Sequence, residues 1–300
     1  MFQVLLYYKY VAMSEAEAQE LRESQSALCE RLGLKGRILI AQEGLNGTVC
    51  GTPEATEEYM VATSSNPKFA DMVFKVSQAS EQVFPRLRVV IRPEIVTLGA
   101  EGVTFAEAAP YLEPEEFQQL LESGEEVYLV DARNNYEWEV GKFDGAITPD
   151  INHFRDFPAA IKELSHLKHK KIVTYCTGGV RCEKASALMK KEGFEQVYQL
   201  HGGIVTYGNK YPDGKWLGKC YVFDKRMMVD VNSPEKEVIV SACRYCQAQT
   251  ARIINCSNAS CDTQFVCCTS CEAEYSGFCS SECALSHTQL RPHSIAAQNA

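Results

Sequence analysis

A strand, a glycine-rich loop and a helix follow one another over residues 171–191, KIVTYCTGGVRCEKASALMKK. The apolar run at residues 172–175 predicts a short strand that ends at Cys176, and the amphipathic run after Gly179 predicts a helix. In an open α/β sheet, reactive groups collect at the carboxyl ends of the strands, where loop amides and the positive end of a helix attract an anion. This segment therefore predicts an α/β fold with a cysteine in an anion site.

Cys176 is the candidate nucleophile. The loop around it consists of Thr177, Gly178, Gly179, Val180 and Arg181. A thiolate in such a loop has a pKa well below the usual value of about 8.5 and is nucleophilic at neutral pH. A lone cysteine is more often a buried residue that only fills space. Two adjacent glycines and an arginine favour the reactive interpretation, which requires a sulfur that is ionised, surrounded by amide hydrogens and reachable.

The residues CTGGVR resemble the active loop of the rhodanese family, in which a cysteine carries a persulfide sulfur held by backbone amides. The loop has six residues, as in rhodaneses, whereas the related phosphatase loops are one residue longer. The segment DARNNYEWEVGKFDGAI and the sequence His-Gly-Gly at 201–203 also resemble rhodanese segments. The resemblance implies that Asp131, Arg133 and His201 border the pocket. Asp131 and Arg133 are equally well explained as a structural ion pair, and His201 as either a general base or a packing residue.

Two residues depart from the broader rhodanese pattern. Thr177 stands where sulfurtransferases often have arginine, which argues against an oxyanion sulfur donor such as thiosulfate. Cys182 stands where serine or threonine is common, which leaves open a redox pair of Cys176 with Cys182.

Residues 1–96 alternate between strand and helix patterns in the order βαββαβ, with a turn signal at Asn46-Gly47. This order is typical of a ferredoxin-like α+β sandwich, also called acylphosphatase-like. In its last strand, Arg86, Arg88 and Arg92 alternate with apolar residues, so the three arginines share one face. This basic stripe is either a solvated surface or a contact for an RNA phosphate backbone.

The remaining chain divides into three parts. We expect a linker with a short helix at 97–122, a rhodanese-like domain with an open parallel sheet at 123–218, and a connector with a small cysteine-rich segment at 219–300. Lys168 and Lys170 precede the reactive strand, and Lys184 lies on the helix after it. A polyanion could approach Cys176 from this side, although lysines on a helix face also serve solubility.

Nine of the 14 cysteines lie between residues 243 and 283. In a chain with no secretion signal, this distribution indicates a metal rather than disulfides. Eight of the nine form four pairs at ligand spacing: Cys243 with Cys246, Cys256 with Cys261, Cys268 with Cys271, and Cys279 with Cys283. Eight thiolates satisfy two closed tetrahedral zinc sites, and the polar, aromatic-poor segment favours zinc over iron–sulfur clusters. We expect an interleaved arrangement, in which the first pair joins the third and the second joins the fourth.

Two details of this segment stay open. Cys267 lies beside Cys268 and blurs the register, and His287 could replace a thiolate. Closed sites imply that the metal holds the fold together and does no chemistry. The isolated Cys29, Cys50 and Cys220 are predicted to be packing residues.

The net charge of −9 argues against nonspecific binding along nucleic acid, because phosphate neutralisation needs clustered Lys and Arg. We therefore expect no DNA partner and only local RNA contacts. The first residues, MFQVLLYYKY, lack a basic leader, and no apolar run is long enough to cross a bilayer. The sequence predicts a cytoplasmic protein without a membrane partner.

The acylphosphatase-like front, the rhodanese-like centre and the cysteine-paired tail together resemble the bacterial oxygen-dependent tRNA uridine hydroxylases over nearly the whole chain. The resemblance implies that the substrate is tRNA, that O2 is a co-substrate and that an electron donor takes part. The implied product is 5-hydroxyuridine at the wobble position, and Cys176 is the implied catalytic residue. No flavin, haem or non-haem iron motif is evident in the sequence.

The nucleophile alone suggests that the thiolate adds to C6 of uridine and makes C5 electron-rich. Two other functions stay open from the residues. The loop by itself is typical of a persulfide sulfurtransferase, and a rhodanese scaffold without activity could use its zinc tail to bind a partner.

Overall fold

The computed structural model describes residues 1–261 and 263–289. Its first region is a sheet with helices on one face. The elements are β1 (Phe2–Tyr10), α1 (Glu15–Arg31), β2 (Lys35–Ala41), β3 (Gly44–Gly51), α2 (Pro53–Ser64), β4 (Phe74–Ala79) and β5 (Leu87–Ile91). The strand order is β4-β1-β3-β2-β5, in which β2 and β5 are parallel and the other neighbours are antiparallel. The predicted ferredoxin-like α+β sheet is confirmed.

Local signals explain where its helices begin. The side chain of Ser14 accepts a hydrogen bond from the amide of Glu17, and the carboxylate of Glu17 accepts one from the amide of Ser14, which forms a capping box for α1. Thr52 caps α2, and Pro53 occupies its first turn.

Alternation along β1 divides its side chains between two environments. Leu5 and Tyr7 pack in the core beneath the helices, so that Leu6 and Tyr8 lie on the opposite face of the sheet. This second face is turned toward the central region.

Two predictions for this region are wrong. Asn46 and Gly47 lie inside β3, and the turn is at Gln42 and Glu43 instead. Gly47 is needed for packing, because a Cβ atom there would lie 2.3 Å from the ring of Tyr7. The predicted order also lacks β4, an edge strand whose partly exposed, polar residues carry little apolar signal.

The central region has a parallel sheet of order β6-β10-β9-β7. Its elements are β6 (Tyr111–Leu112), α3 (Pro114–Glu122), β7 (Tyr128–Asp131), α4 (Asn135–Trp138), β8 (Gly141–Phe143), α5 (Phe157–Ala160), β9 (Lys171–Tyr175), α6 (Val180–Lys191), β10 (Gln196–Leu200), α7 (Gly203–Lys210) and β11 (Trp216–Gly218). The predicted open parallel α/β sheet is confirmed. The segment predicted as a linker contributes β6 to this sheet.

The remaining chain is short of regular structure. It contains β12 (Cys220–Tyr221), β13 (Met228–Val229), β14 (Ile253–Asn255), β15 (Gln264–Val266), α8 (Thr269–Glu274) and α9 (Ser281–Gln289). Single 3-10 helices lie at Pro67–Phe69, Phe105–Glu107, Phe154–Asp156, Ile161–Leu167 and Pro234–Lys236. Among the described residues, no helix combines the length and the apolar character needed to span a bilayer.

Candidate active site

Cys176 follows β9 directly, at the carboxyl end of the central sheet. Gly179 has a φ of +101°, a left-handed conformation that glycine adopts at little cost. Its N–H donates a hydrogen bond to the Cys176 sulfur at 3.2 Å. A Cβ atom on Gly203 would lie 2.4 Å from the carbonyl oxygen of Cys176, so that glycine allows α7 to approach the loop. The glycines therefore let the backbone close around the sulfur.

The surroundings of Cys176 stabilise its thiolate. Burial alone would raise its pKa, but a hydrogen bond from Cys182, the positive charge of Arg181 and the amides of Arg181 and Gly179 outweigh burial and lower the pKa well below the ordinary value. For Cys182, burial and the charge on Cys176 raise the pKa. The two thiols therefore carry one negative charge between them. This charge is on Cys176, and Cys182 stays protonated.

Glu137 holds Arg181 in place. The two guanidinium nitrogens of Arg181 lie 2.5 and 2.8 Å from the two carboxylate oxygens of Glu137, and Glu137 is fully buried. Such a forked pair fixes both position and orientation. Glu137 belongs to the rhodanese-like segment identified in the sequence, but sequence reasoning gave it no role.

Asp131 and Arg133 form a second buried ion pair. Arg133 Nε and Nη2 donate to the carboxylate of Asp131 at 2.9 and 2.6 Å, and both side chains are fully buried. Arg133 also donates to the carbonyl of Gly141 at 2.7 Å and packs against the ring of Trp216. Of the two interpretations that the sequence left open, the geometry favours the structural ion pair.

Cys176 has no exposed surface, so the expectation of a reachable sulfur is wrong for this conformation. The second face of the first sheet covers the loop. A Cβ atom on Gly178 would lie 2.9 Å from Leu6, and one on Gly179 would lie 2.8 Å from the hydroxyl of Tyr8. The contact is made by another region of the fold, which a local motif does not specify.

Further side chains join the first sheet to the central region near the loop. The Tyr8 hydroxyl donates to Glu183 at 3.0 Å, and the Tyr111 hydroxyl donates to the same carboxylate oxygen at 2.5 Å. Lys75 Nζ lies 5.2 Å from the centre of the Tyr8 ring. Sequence reasoning missed these residues, because no spacing in the chain links β1 and β4 to α6.

Lys184 is not available to RNA, so that prediction is wrong. Its side chain is buried, and its Nζ lies 2.7 Å from Glu43 and 2.6 Å from Glu94. This ion triad joins the first region to α6. Lys168 and Lys170 precede β9, whereas Cys176 follows it. The two lysines therefore lie at the amino end of this strand, and Cys176 lies at its carboxyl end. The expected approach of a polyanion to Cys176 from these lysines is therefore wrong as well.

His201 and Cys220 lie at the margin of the site. His201 Nδ1 is 2.7 Å from a carboxylate oxygen of Glu113, and its ring centre is 4.7 Å from that of Tyr111. Cys220 is fully buried, and burial raises the pKa of its thiol to about 12. Such a thiol stays protonated and inert, as expected of a packing residue.

The basic stripe is on the exposed part of the first sheet. Arg86, Arg88 and Arg92 are exposed, while Val89 packs in the core. Arg37 on β2 is the registered neighbour of Arg88 on β5 and is also exposed. Burial and the charges of Arg88 and Arg92 lower the pKa of Arg37, which confirms that the positive charges lie close together. Strand pairing thus adds a fourth arginine that the sequence did not reveal.

The cysteines of the tail form two groups among the described residues. One group contains Cys243, Cys246, Cys268 and Cys271, and the other contains Cys256, Cys261, Cys279 and Cys283. The predicted interleaved arrangement is confirmed. Cys267 belongs to neither group, and the side chain of His287 lies outside the described residues.

The sulfur positions fit a tetrahedral metal site. Within each group the sulfurs lie within 4.8 Å of one another. The distances are 3.7 Å between Cys246 and Cys268, and 3.5 Å both between Cys256 and Cys283 and between Cys261 and Cys279. A tetrahedron with Zn–S bonds of about 2.3 Å has edges of roughly 3.8 Å, so each group has the dimensions of a zinc site.

Comparison with known proteins places these features in families. The first region matches the UPF0176 acylphosphatase like domain over residues 2–95, the centre matches the Rhodanese-like domain over 113–210, and the tail matches the family described as Rhodanase C-terminal over 217–284. Among solved structures, a rhodanese-like domain from Anabaena is 24% identical over 36% of this chain and 79% of that chain, with a TM-score of 0.31.

Two relatives are similar over nearly the whole chain. A protein of Cytophaga hutchinsonii named tRNA uridine(34) hydroxylase is 44% identical over 293 residues, which are 97% of this chain and 92% of the relative. A protein of Bacillus licheniformis with the same name is 47% identical over 288 residues, which are 94% of this chain and 88% of the relative.

Proposed function

Because the chain belongs to the tRNA uridine(34) hydroxylase family, we propose that it hydroxylates the uridine at tRNA position 34, with Cys176 as the reacting residue. The product is 5-hydroxyuridine, as the family resemblance of the sequence implies. The observation that carries the role of Cys176 is the set of donors around its sulfur. The Gly179 amide at 3.2 Å, the thiol of Cys182 and the charge of Arg181 all favour the thiolate.

Cys176 is fully buried in this conformation, so the reaction requires Leu6 and Tyr8 to move away from the loop before a base reaches the sulfur. The uncovered thiolate then has a direct use. Its sulfur forms a bond to C6 of the uracil, and the electron pair of the C5=C6 bond moves onto C5 and O4. C5 is then electron-rich and takes one oxygen atom from O2. The other oxygen atom becomes water with two electrons and two protons. Loss of the C5 proton and of the thiolate restores the double bond and releases the product.

This sequence of steps defines the partners. O2 is the co-substrate, and the two electrons come from a separate donor. The tRNA is held partly through its backbone, for which Arg86, Arg88 and Arg92 are the candidate contacts. Arg37 joins this group because it is exposed and paired in register with Arg88. A tRNA substrate also agrees with the predicted cytoplasmic location.

We assign zinc to the two cysteine groups of the tail. Four thiolates at these spacings suit a closed tetrahedral zinc ion, which would supply cross-links between distant segments and take no part in the reaction. The tail packs against the central region through Val140, Tyr221, Ile253 and Val266. Cys220 and Phe223 line the same cavity as Thr177 of the loop, so an ordered tail supports the chain next to the loop.

The proposal is tested in a strain in which the gene is deleted. Bulk tRNA is digested, and its nucleosides are measured by mass spectrometry with the wild-type gene and with Cys176→Ala restored separately. We expect 5-hydroxyuridine to disappear on deletion, to return with the wild-type gene and to stay absent with Cys176→Ala. Loss of thiolated nucleosides instead would identify a sulfurtransferase, and unchanged nucleosides would leave a scaffold without activity.

A further inference from the structure

A groove runs along the junction of the first sheet and the central region, and one of its wall residues, Tyr8, lies over Gly179 of the Cys176 loop. Its volume is about 710 Å³. Its walls carry the aromatic side chains Tyr8, Tyr10, Phe105, Tyr111 and His201, and Lys75. Two of the wall residues contact the Cys176 loop: the Tyr8 hydroxyl lies 2.8 Å from the place of a Cβ atom on Gly179, and the Tyr10 hydroxyl donates to the carbonyl oxygen of Val180 at 3.2 Å.

We propose that this groove binds the single-stranded nucleotides of the anticodon loop, with bases stacked on its aromatic rings, and that Lys75 contacts a carbonyl oxygen of the target uracil. The inference rests on the proposed tRNA function and adds the location of the bases and a second substrate-contacting residue. Proteins that read RNA sequence mostly bind unpaired bases and stack them on aromatic side chains.

The aromatic residues have surface available for stacking. Tyr111 is 46% exposed, and its ring lies against that of His201. Tyr10 and Phe105 form a second, stacked pair with ring centres 5.1 Å apart. Tyr10, Phe105 and His201 are partly exposed, so both pairs offer some ring surface on which another flat ring can stack.

The charged wall residues of the groove are Lys9, which pairs with Asp71, Glu183, which accepts hydrogen bonds from Tyr8 and Tyr111, and Lys75. Lys75 makes no ion pair with any described residue, although it is only partly exposed. Lys75 is therefore the described wall cation that is left to attract RNA. Cross-strand pairing connects Lys75 through Leu6 and Thr48 to Arg37 and Arg88, in one row across all five strands. At about 4.8 Å per strand, roughly 19 Å separate the ends of this row. The same face of the first sheet would thus bind RNA bases at the groove and RNA phosphates at the arginines.

The position of Lys75 suits the charge that develops on the substrate. Burial lowers the pKa of Lys75 to about 8, while the charges on Cys176 and Glu183 oppose this shift, so the amine is mainly protonated at neutral pH. When the thiolate adds to C6, the negative charge moves from sulfur to O4 of the uracil. The Lys75 ammonium lies 5.2 Å from the centre of the Tyr8 ring, so a base that takes the place of this ring can accept a hydrogen bond from it at O4.

The position of Tyr8 indicates how the target uracil reaches the sulfur of Cys176. Tyr8 lies between Lys75 and the loop, with its hydroxyl 2.8 Å from the place of a Cβ atom on Gly179. Cys176 is therefore covered by a side chain that itself lines the groove. A base that slides along the groove takes the place of the Tyr8 ring beneath Lys75.

Stacking is tested by binding of an anticodon stem-loop RNA. Tyr111→Leu removes the ring, whereas Tyr111→Phe keeps the ring and removes only the hydrogen bond to Glu183. We expect roughly ten-fold weaker binding for Tyr111→Leu, as for one lost stacked base, and near wild-type binding for Tyr111→Phe. Wild-type binding by Tyr111→Leu, or equal losses in both variants, would overturn the stacking assignment.

The role of Lys75 is tested by product formation. In the deletion strain we expect Lys75→Met to lower 5-hydroxyuridine roughly ten-fold or more and Lys75→Arg to restore part of it, while RNA affinity falls only about two- to three-fold, as for one lost charge. Lys162→Met, at an exposed lysine far from the groove, is the matched control. Wild-type product from Lys75→Met, or a loss of affinity equal to the loss of product, contradicts a contact with the target base.

A third measurement does not depend on the variants folding. Anticodon stem-loop RNA with 4-thiouridine at position 34 is irradiated on the wild-type chain, and cross-linked peptides are identified by mass spectrometry. Cross-links to the strands that hold Tyr8 or Lys75 support the groove, and cross-links confined to residues 86–92 overturn it. If the wild-type gene itself restores no 5-hydroxyuridine, the proposed function fails first. If it does and the variants behave as wild type, only the groove fails.

Discussion

The cysteines of the tail and those of the loop contrast in what determines their chemistry. In the tail, eight thiols within about 40 residues of chain gather into two groups, and their sulfurs lie 3.5–3.7 Å apart where neighbours contact. At the loop, Cys176, Cys182 and Cys220 are all fully buried, yet only the pKa of Cys176 is lowered. Similar burial thus produces one reactive thiol and two protonated ones.

The difference teaches that spacing encodes ligand sets, whereas reactivity depends on distant partners. The two cysteines of each tail pair have only two to four residues between them, so the pairs themselves follow from short-range geometry. The thiolate of Cys176 depends on Arg181, which in turn depends on Glu137 from another element. Its cover comes from Leu6 and Tyr8, about 170 residues earlier in the chain.

The largest expected effect separates the two kinds of cysteine by activity. Cys176→Ala removes the nucleophile, and we expect loss of 5-hydroxyuridine of roughly 10³-fold or more, to the background of the deletion strain. Bound metal should be unchanged. The matched control is Cys29→Ala, because Cys29 is a buried thiol of α1 whose pKa burial raises to about 12. A large loss of product in the control would mean that buried cysteines here matter through packing alone.

Metal content gives the second test. Here the variant is expected to lose metal and only part of its product, whereas Cys176→Ala loses product and keeps its metal. Cys271→Ser removes one ligand of the first group, and we expect one metal ion per chain to be lost, with a lower free energy of unfolding and partial loss of product. Cys267→Ala changes the adjacent buried cysteine that belongs to neither group, and both ions should remain. Elemental analysis of the purified chains measures this directly. Loss of metal from the Cys267 variant would show that the register assigned to the tail is incorrect.

Sequence reasoning succeeded where the determinants are local. The strand before Cys176, the glycine turn and the four cysteine pairs follow from residues close together in the chain, and the structure contains all three. The interleaving of these pairs joins sulfurs of residues that are 18–27 positions apart, and no local spacing specifies it. Sequence reasoning failed where pairing between distant segments decides the environment. Lys184 forms ion pairs with Glu43 and Glu94 and is not available to RNA. Gly47 lies within a strand, where it leaves room for the ring of Tyr7, and does not form a turn.

The third prediction addresses the distant partner of the loop. Glu137→Gln leaves Arg181 as a buried charge without its counter-ion, and we expect a loss of about 3–5 kcal/mol in the free energy of unfolding. Urea unfolding measures it. Glu126→Gln, which breaks the exposed pair with Lys170, is the control and should cost far less. Equal costs would mean that the loop is no more dependent on its distant partner than an ordinary surface is.

The pH dependence of the loop follows from the sign of its shift. Since the pKa of Cys176 is lowered, the thiolate is present at neutral pH and is lost only when the pH falls well below the usual thiol value of about 8.5. A difference titration of thiolate absorbance between wild type and Cys176→Ala measures this. Arg181→Met should move the transition to higher pH, because it removes a positive charge that favours the thiolate. A transition near 8.5 in the wild type would contradict the donor set described for the loop.

The smallest expected effect compares two arginines of the basic stripe, one found by spacing and one found only by strand pairing. Arg88→Gln and Arg37→Gln each remove one positive charge from neighbouring positions of β5 and β2. If both contact phosphates, each should weaken RNA binding a few-fold and reduce the slope of log affinity against log salt by about one. Lys170→Gln, at the far edge of the central sheet, should change neither. Should Arg88 matter while Arg37 does not, the RNA follows β5 alone, and strand pairing adds nothing to the stripe that the sequence had not already specified.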